Sequence, residues 1–304
     1  MTAFVLVPGT HMGGWLWREV AGRLRQAGSE AYEATLTGMG DRRHLAGPQT
    51  DLETHTEDLT QLIDHVDAPE VVLVAHCYGS YPVRAAADRR PERVSRIVYV
   101  DAPLPQDGCS VLGQVREQMQ DEVTRAGMLR RAAEAVDGWR MIPPTPAEER
   151  NAANLTGVSQ EALVRLNRLA APQPLGTLTQ PLRLSGKTAK MPMTGVFCTA
   201  GGPGIAMVET LVASGAPRFQ ELGEERWSFF ELATGHWPML SCPDELAEVL
   251  RQATAGEGRR VGTGRQDADR VAAVQSAQIR SGKPLPRCVV SPGRSRPAWC
   301  GGPR

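Results

Sequence analysis

Short apolar segments alternate with amphipathic ones along the first hundred residues, and this alternation most constrains the fold. Residues 3–7, 71–75 and 94–100 are mostly apolar runs without polar alternation, as strands buried on both faces require. Residues 30–36 can form a further strand. Segments 15–26 and 51–66 carry apolar residues at helical spacing, with charged residues between them. Strands separated by helices predict an α/β fold with a parallel, doubly wound sheet.

The pattern breaks between about residues 105 and 190, where the sequence is helical and polar with proline-rich joints. The strand pattern returns at 195–199 and 228–232, and a last helix follows. We therefore expect a core formed by 1–104 and 191–254, interrupted by an inserted helical cap at 105–190. The length of the chain fits one large α/β domain with such an insertion.

The final segment, 255–304, has a different composition. It is rich in Gly, Pro, Ser and Arg, and carries ten Lys or Arg against three Asp or Glu. We predict that this basic tail is disordered, because it has too few apolar residues in any regular pattern to form a core. The formal net charge of the whole chain is zero, so bulk charge indicates no nucleic-acid partner.

The N-terminus reads as a first strand rather than a signal peptide, because it lacks a basic region and a long apolar run. No segment approaches the roughly 18 apolar residues of a membrane span. The six cysteines show no CxxC pair or other zinc spacing. We therefore expect a cytoplasmic protein with reduced thiols, no membrane association, and no metal or other cofactor.

The stretch 71–80, VVLVAHCYGS, carries the strongest chemical signal. It matches the Gly-x-nucleophile-x-Gly turn between a strand and a helix, with Ala75 in the first glycine position, Cys77 as nucleophile and Gly79 as the second glycine. The turn places the sulfur at a helix N-terminus, where free N–H groups favour a thiolate. The alternatives are a buried structural cysteine, or Ser80 as nucleophile, although Ser80 comes one residue too late for the turn.

A thiolate nucleophile needs a base and a group that orients the base. His236 is the candidate base, because it follows the last apolar strand in Thr-Gly-His-Trp-Pro. The usual acid position, after the strand at 195–199, holds no Asp or Glu before Glu209. Asp101 ends the preceding strand, and we assign it as the acid. The alternative is that Asp101 caps the turn before Pro103.

The oxyanion hole is predicted to consist of two backbone N–H groups, one from Tyr78 and one from Thr10. Three other histidines have different expected positions. His76 should point back into the sheet, His55 should lie at the surface of its helix, and His11 is a candidate for the pocket lining.

Residues 1 to about 254 resemble the plant methylesterase and hydroxynitrile-lyase branch of the α/β hydrolases. The segments that carry the resemblance are 8–15 (PGTHMGGW), 36–40 (LTGMG) and 172–175 (PQPL). The resemblance implies an α/β-hydrolase fold. That branch has a serine nucleophile and an acid after the strand that follows the cap, and this chain departs from both.

The combination of Cys77, Asp101 and His236 is similar to that of the tetramate-forming Dieckmann cyclases of actinobacterial polyketide–peptide pathways. This resemblance implies that a carrier protein presents a β-ketoacyl-aminoacyl thioester. Cys77 would take the acyl group, and a carbanion would then close the tetramic acid ring. The first alternative is a cysteine-dependent thioesterase or carboxylesterase. A lyase like the hydroxynitrile branch and a non-catalytic ligand-binding protein are further alternatives.

Overall fold

The computed structural model describes residues 2–119, 121–145, 148 and 155–262. The strands found there are β1 (Ala3–Val7), β2 (Glu30–Glu33), β3 (Val71–His76), β4 (Val94–Val100), β5 (Arg140–Met141), β6 (Gln173–Pro174), β7 (Met193–Cys198) and β8 (Trp227–Leu232). Six of them form one parallel sheet in the order β2-β1-β3-β4-β7-β8, and β5 pairs with β6 antiparallel. The parallel sheet confirms the predicted α/β-hydrolase fold class.

The helices of the same part of the chain are α1 (Arg18–Gln26), α2 (Leu52–His65), α3 (Ser80–Arg89), α4 (Val111–Gln118), α5 (Glu122–Ala133), α6 (Gln160–Leu169), α7 (Gly176–Thr179), α8 (Ile205–Ala213), α9 (Pro217–Gln220), α10 (Pro238–Ser241) and α11 (Pro243–Thr254). α2 begins at a capping box, in which the side chain of Asp51 accepts from the amide of Thr54. Among these helices, none is long and apolar enough to cross a membrane.

Both faces of the sheet are covered. On β1, Ala3, Val5 and Val7 face a core shared with α2 and α3, whereas Phe4 and Leu6 face a core shared with α1 and α11. All five side chains are fully buried. A strand covered on both sides needs apolar residues at every position, which explains the uninterrupted apolar runs of the sequence.

The chain between β4 and β7 contains α4 to α7 and the β5–β6 pair. α4 packs on α5 and on α7, so the first and last helices of the segment contact each other. This segment contains the predicted helical cap, and the cap boundaries at residues 105 and 190 stay a prediction.

After α11 the chain continues along the sheet. The backbone of Arg259 forms two hydrogen bonds with Phe229 of the edge strand β8, at 2.8 and 2.9 Å, and Val261 is buried. The core therefore extends past the predicted boundary at 254 to at least Val261, because the chain pairs with the edge strand. The rest of the predicted disordered tail, 263–304, lies outside the described residues.

Candidate active site

Cys77 lies in a short 3₁₀ turn between β3 and α3, at the carboxyl end of the sheet. Its φ is +50°, a backbone conformation that residues with side chains rarely adopt. Gly79 makes the turn possible, because a Cβ there would lie 2.8 Å from the carbonyl oxygen of Pro8 and 3.0 Å from that of Val7. A strained residue followed by a tightly packed glycine is the geometry of a nucleophile elbow.

The structure brings Cys77, Asp101 and His236 together at this end of the sheet. The thiol of Cys77 lies beside the ring of His236 and interacts with it. Nδ1 of the same ring donates to Oδ2 of Asp101 at 2.5 Å. Asp101 directly follows β4, the neighbour of β3, and His236 lies in the loop between β8 and α10. The geometry is that of a nucleophile, a base and an orienting acid.

Electrostatics link the three groups. Burial raises the pKa of the Cys77 thiol, but its hydrogen bond to His236, the charge of that ring and two backbone amides lower the pKa by more, to below its ordinary value. Burial lowers the pKa of His236, but Asp101 and Cys77 together raise it well above the ordinary value for histidine. The pair therefore favours thiolate and imidazolium, the reactive form of a cysteine nucleophile.

The backbone amides of Thr10 and Tyr78 both face the Cys77 sulfur, and both lower the pKa of the thiol. Gly9 lets the first loop come this close, because a Cβ at position 9 would lie 2.8 Å from the Cβ of Cys77. Two N–H groups beside Cys77 are suitably placed for an oxyanion that would form on a carbonyl carbon bonded to the sulfur. Their role as the oxyanion hole stays a prediction.

The other candidate acid lies elsewhere. Glu209, on α8, has its carboxylate in an ion pair with Arg259. The strand β7, which precedes the usual acid position, instead presents the amide of Cys198 to Oδ1 of Asp101 at 3.5 Å. Asp101 itself has a φ of +43°, a strained conformation like that of Cys77.

His55 is the clearest departure from the sequence expectation. It was expected at the surface of its helix, but it is fully buried. Its Nε2 donates to the carbonyl oxygen of Thr37, and its Nδ1 accepts from the hydroxyl of Tyr78, each at 2.8 Å. His55 thus anchors the side chain of a predicted oxyanion-hole residue. Its spacing of four and eight residues from the buried Leu59 and Ile63 was the signal that places it on the inner face of α2.

His76 also has a partner that the sequence did not reveal. Its ring is fully buried, and Nε2 donates to the backbone carbonyl of His236 at 2.8 Å. The two rings lie 4.4 Å apart between centroids. Burial, with the charge of His236, lowers the pKa of His76 to about 3, so the ring is neutral. His76 therefore ties the loop that carries His236 to the end of β3.

His11 faces the inserted segment. Its Nδ1 lies 2.9 Å from the carbonyl oxygen of Ala171, and its amide donates to the side chain of Gln173 at 2.9 Å. The ring is buried, and burial lowers the pKa of His11 to about 4. The ring therefore connects the first loop to the insertion, and the residues that line the cavity beside Cys77 do not include it.

A cavity of about 460 Å³ adjoins Cys77 and Asp101. One wall is the face of the sheet formed by β4, β7 and β8, and the opposite side comes from α4, α5 and α8. Most of the lining is apolar, with methionine and aromatic side chains prominent. A largely apolar cavity beside Cys77 suits an apolar substrate group.

The chain matches the model of the alpha/beta hydrolase family over residues 4–249. It is also 33% identical over 258 residues to the carbendazim hydrolyzing esterase of Nocardioides sp. (strain SG-4G), an alignment that covers 82% of this chain and 98% of that protein. The chain belongs to the α/β hydrolase family. It is an enzyme of that family, with esterases among its relatives.

Other proteins similar to this α/β hydrolase include further esterases. Methylesterase 8 of Arabidopsis thaliana is 35% identical over 104 residues, which cover 34% of this chain and 38% of that protein. The crystal structure of polyneuridine aldehyde esterase covers 84% of this chain and 99% of its own, with 20% identity and a TM-score of 0.64. An extracellular α/β-hydrolase from a Paenibacillus species covers 83% and 99%, with 22% identity and a TM-score of 0.66. Methylesterases are thus among the chain's relatives, and these relatives lend no support to the narrower cyclase resemblance.

Proposed function

We propose that this α/β hydrolase is a cysteine-dependent acyl hydrolase, which cleaves an ester or thioester with a largely apolar acyl group through an acyl-Cys77 intermediate. The observation that carries the proposal is the hydrogen bond between His236 and Asp101, with the thiol of Cys77 beside the same ring. This arrangement supplies an activated nucleophile, its base and the orienting acid. The esterases among the relatives support hydrolysis as the overall reaction.

In the first step, the Cys77 thiolate attacks the carbonyl carbon of the substrate and forms a C–S bond. The oxyanion of the tetrahedral intermediate accepts from the amides of Thr10 and Tyr78. Collapse of the intermediate breaks the bond to the leaving alcohol or thiol, which takes a proton from His236. Asp101 holds the ring in the tautomer that presents Nε2 to the reaction.

In the second step, neutral His236 removes a proton from water as the water attacks the carbonyl carbon of acyl-Cys77. A second tetrahedral oxyanion forms at the same two amides. The C–S bond breaks, the acid leaves, and Cys77 returns as thiolate with His236 protonated. The enzyme is thereby ready for another turnover.

Ring formation is a second candidate, favoured by the thiol nucleophile and by the largely apolar lining of the cavity, which offers a β-ketoacyl chain an apolar surface. In this case a carrier protein delivers a β-ketoacyl-aminoacyl thioester to Cys77. The methylene between the ketone carbonyl and the amide carbonyl then loses a proton to His236. The carbanion attacks the thioester carbonyl, a C–C bond forms, the C–S bond breaks, and a tetramic acid leaves. This is the Dieckmann cyclisation that the resemblance of Cys77, Asp101 and His236 implies.

One substrate separates the two candidates. The N-acetylcysteamine thioester of a β-ketoacyl amino acid yields an open acid on hydrolysis and a ring that is one water lighter on cyclisation. We expect the open acid from the wild-type enzyme, identified by mass spectrometry. A ring as the sole product, where uncatalysed closure is negligible, would overturn hydrolysis in favour of cyclisation.

Variants of two cysteines test the nucleophile. Cys77→Ala is expected to abolish both products, and an acyl adduct on Cys77 is expected in the wild-type protein by intact-protein mass spectrometry. Cys109→Ala is the matched control, because Cys109 is a free cysteine at the start of the inserted segment. Turnover by Cys77→Ala at the rate of the control would overturn both candidates.

A further inference from the structure

Four aromatic side chains form a continuous stack on the cavity side of the sheet. The rings of Trp227 and Phe229 are nearly parallel, with 5.7 Å between centroids and 5° between planes. Tyr99 stacks on Trp227 at 5.9 Å, and Phe197 stacks on Phe229 at 6.1 Å. All four line the cavity beside Cys77. We call this set, Tyr99, Phe197, Trp227 and Phe229, the aromatic wall.

Gly195 shapes the aromatic wall. The strand register places Gly195 beside Tyr99 on one side and Phe229 on the other. A Cβ at position 195 would lie 2.9 Å from Cδ1 of Phe229, so the Phe229 ring leans over β7 only because no side chain is there. Glycine inside a central strand weakens the strand, and it often marks a close approach of this kind.

The same register fixes the depth of the aromatic wall. Tyr99 comes two residues before Asp101 and shares its face of β4. Trp227 pairs with Met193, which pairs with Ile97, two residues deeper again. Phe197 follows Val196, the partner of Val100, and so lies at the level of Asp101 and of the nucleophile. At about 3.3 Å per residue, the other three rings lie deeper, with Tyr99 and Phe229 about 7 Å and Trp227 about 13 Å below Asp101.

The rings are shielded from solvent and still face empty space. Phe229 is 2%, Trp227 3% and Tyr99 4% exposed, yet each borders the cavity of about 460 Å³. Apolar walls around such a space lack the packing contacts that a ligand would supply. Across the cavity lie Met119 and Met128, whose flexible side chains adapt to the shape of a ligand.

We propose that the aromatic wall binds the acyl part of the substrate and selects acyl groups that carry a planar aromatic or conjugated segment about 7 to 13 Å from the carbonyl carbon. This inference rests on the proposed function, in which the acyl group is bonded to Cys77. Planar groups gain ring stacking on the aromatic wall, whereas a saturated group of equal length gains only apolar burial.

The test compares two thioesters of equal length, the N-acetylcysteamine thioesters of 6-phenylhexanoic and 6-cyclohexylhexanoic acid. We expect the wild-type kcat/KM for the phenyl substrate to be about tenfold higher, as stacking on two rings allows. In Phe229→Leu the ratio is expected to fall towards one. The matched control is Phe230→Leu, the same change one residue along on the opposite face of the sheet, which is expected to keep the wild-type ratio.

Two further measurements separate the failure of this inference from other failures. Hydrolysis of the acetyl thioester, and its loss in Cys77→Ala, tests the proposed function without the aromatic wall. Binding of the two free acids to Cys77→Ala, measured by calorimetry, tests the aromatic wall without turnover. If Phe229→Leu does not fold, Gly195→Ala replaces it, because its Cβ displaces the Phe229 ring. A wild-type ratio near one, or an unchanged ratio in the folded Phe229 or Gly195 variant, would overturn the inference.

Discussion

Replacing Asp101 with asparagine removes the negative charge that faces the His236 ring. Asparagine tolerates the left-handed conformation that Asp101 adopts at φ +43°, so the backbone is expected to stay in place. The amide still reaches Nδ1 of His236 but stabilises a positive ring poorly, and it can favour the wrong tautomer. The prediction is therefore a folded enzyme with a slow chemical step.

The size of the loss follows from the geometry. The carboxylate of Asp101 lies 2.5 Å from Nδ1 of His236, and both side chains are only 19% exposed, so water screens the interaction weakly. The corresponding change in serine proteases lowers kcat by about 10⁴-fold. A thiol ionises more easily than a serine hydroxyl and depends less on its base. We therefore expect a loss of about 10²- to 10³-fold in kcat/KM, or about 3 to 4 kcal/mol in the activation free energy.

Two assays check this prediction. The first is kcat/KM on an acyl thioester, and the second is the pH dependence of Cys77 alkylation by iodoacetamide. Without the carboxylate, the pKa of His236 falls and the thiolate loses its partner, so the alkylation curve moves to higher pH. The matched control is Glu209→Gln, which removes the other candidate acid. Wild-type rates in a folded Asp101→Asn, together with loss of activity in Glu209→Gln, would refute the assignment.

Three further predictions concern the nucleophile, the elbow and the end of the core. Wild-type Cys77 is expected to react with iodoacetamide below pH 9.0, the ordinary thiol pKa, because its pKa is lowered. Reaction only above that pH would contradict the ion pair. Gly79→Ala is expected to destabilise the protein by about 1 to 3 kcal/mol, because the added Cβ crowds the backbone. The control Gly22→Ala, which has open space around it in α1, is expected to stabilise the protein slightly. Equal shifts of the two variants in thermal unfolding would count against the elbow geometry. A chain that ends at Gly262 is expected to have a higher Tm than one that ends at Ala255, because it keeps the backbone pairing with β8; equal Tm values would show that this pairing adds no stability.

Sequence patterns predicted the strands well where burial alone determines them. β1 and β4 have the predicted bounds, because each lies inside the sheet with strands on both sides. β2 was predicted over 30–36 but ends at Glu33. It is an edge strand, and the next residues turn towards the first loop, where Thr35 accepts from the amide of Gly14 at 2.9 Å. That tertiary contact leaves no trace in the hydrophobic pattern.

In the candidate site too, the sequence revealed the local motifs but not the long-range contacts. The elbow around Cys77 was recognisable because its turn, its glycine and its helix start are local in the chain. The contact between His76 and the carbonyl of His236 joins residues 160 positions apart. Likewise, the aromatic wall requires the strand order β4-β7-β8, and alternation within each strand reveals the faces but not the neighbours. Long-range partners of this kind depend on topology that one sequence does not display.

The pairing of Arg259 with Phe229 also bears on solubility. β8 ends the sheet on one side, and an uncovered edge strand offers free N–H and C=O groups to other chains. The backbone of Arg259 hydrogen-bonds to both the N–H and the C=O of Phe229, which lies within β8. The segment after α11 therefore covers part of the edge of β8 and hinders its pairing with other chains. We expect a protein shortened to its last helix to aggregate more readily through this exposed strand edge.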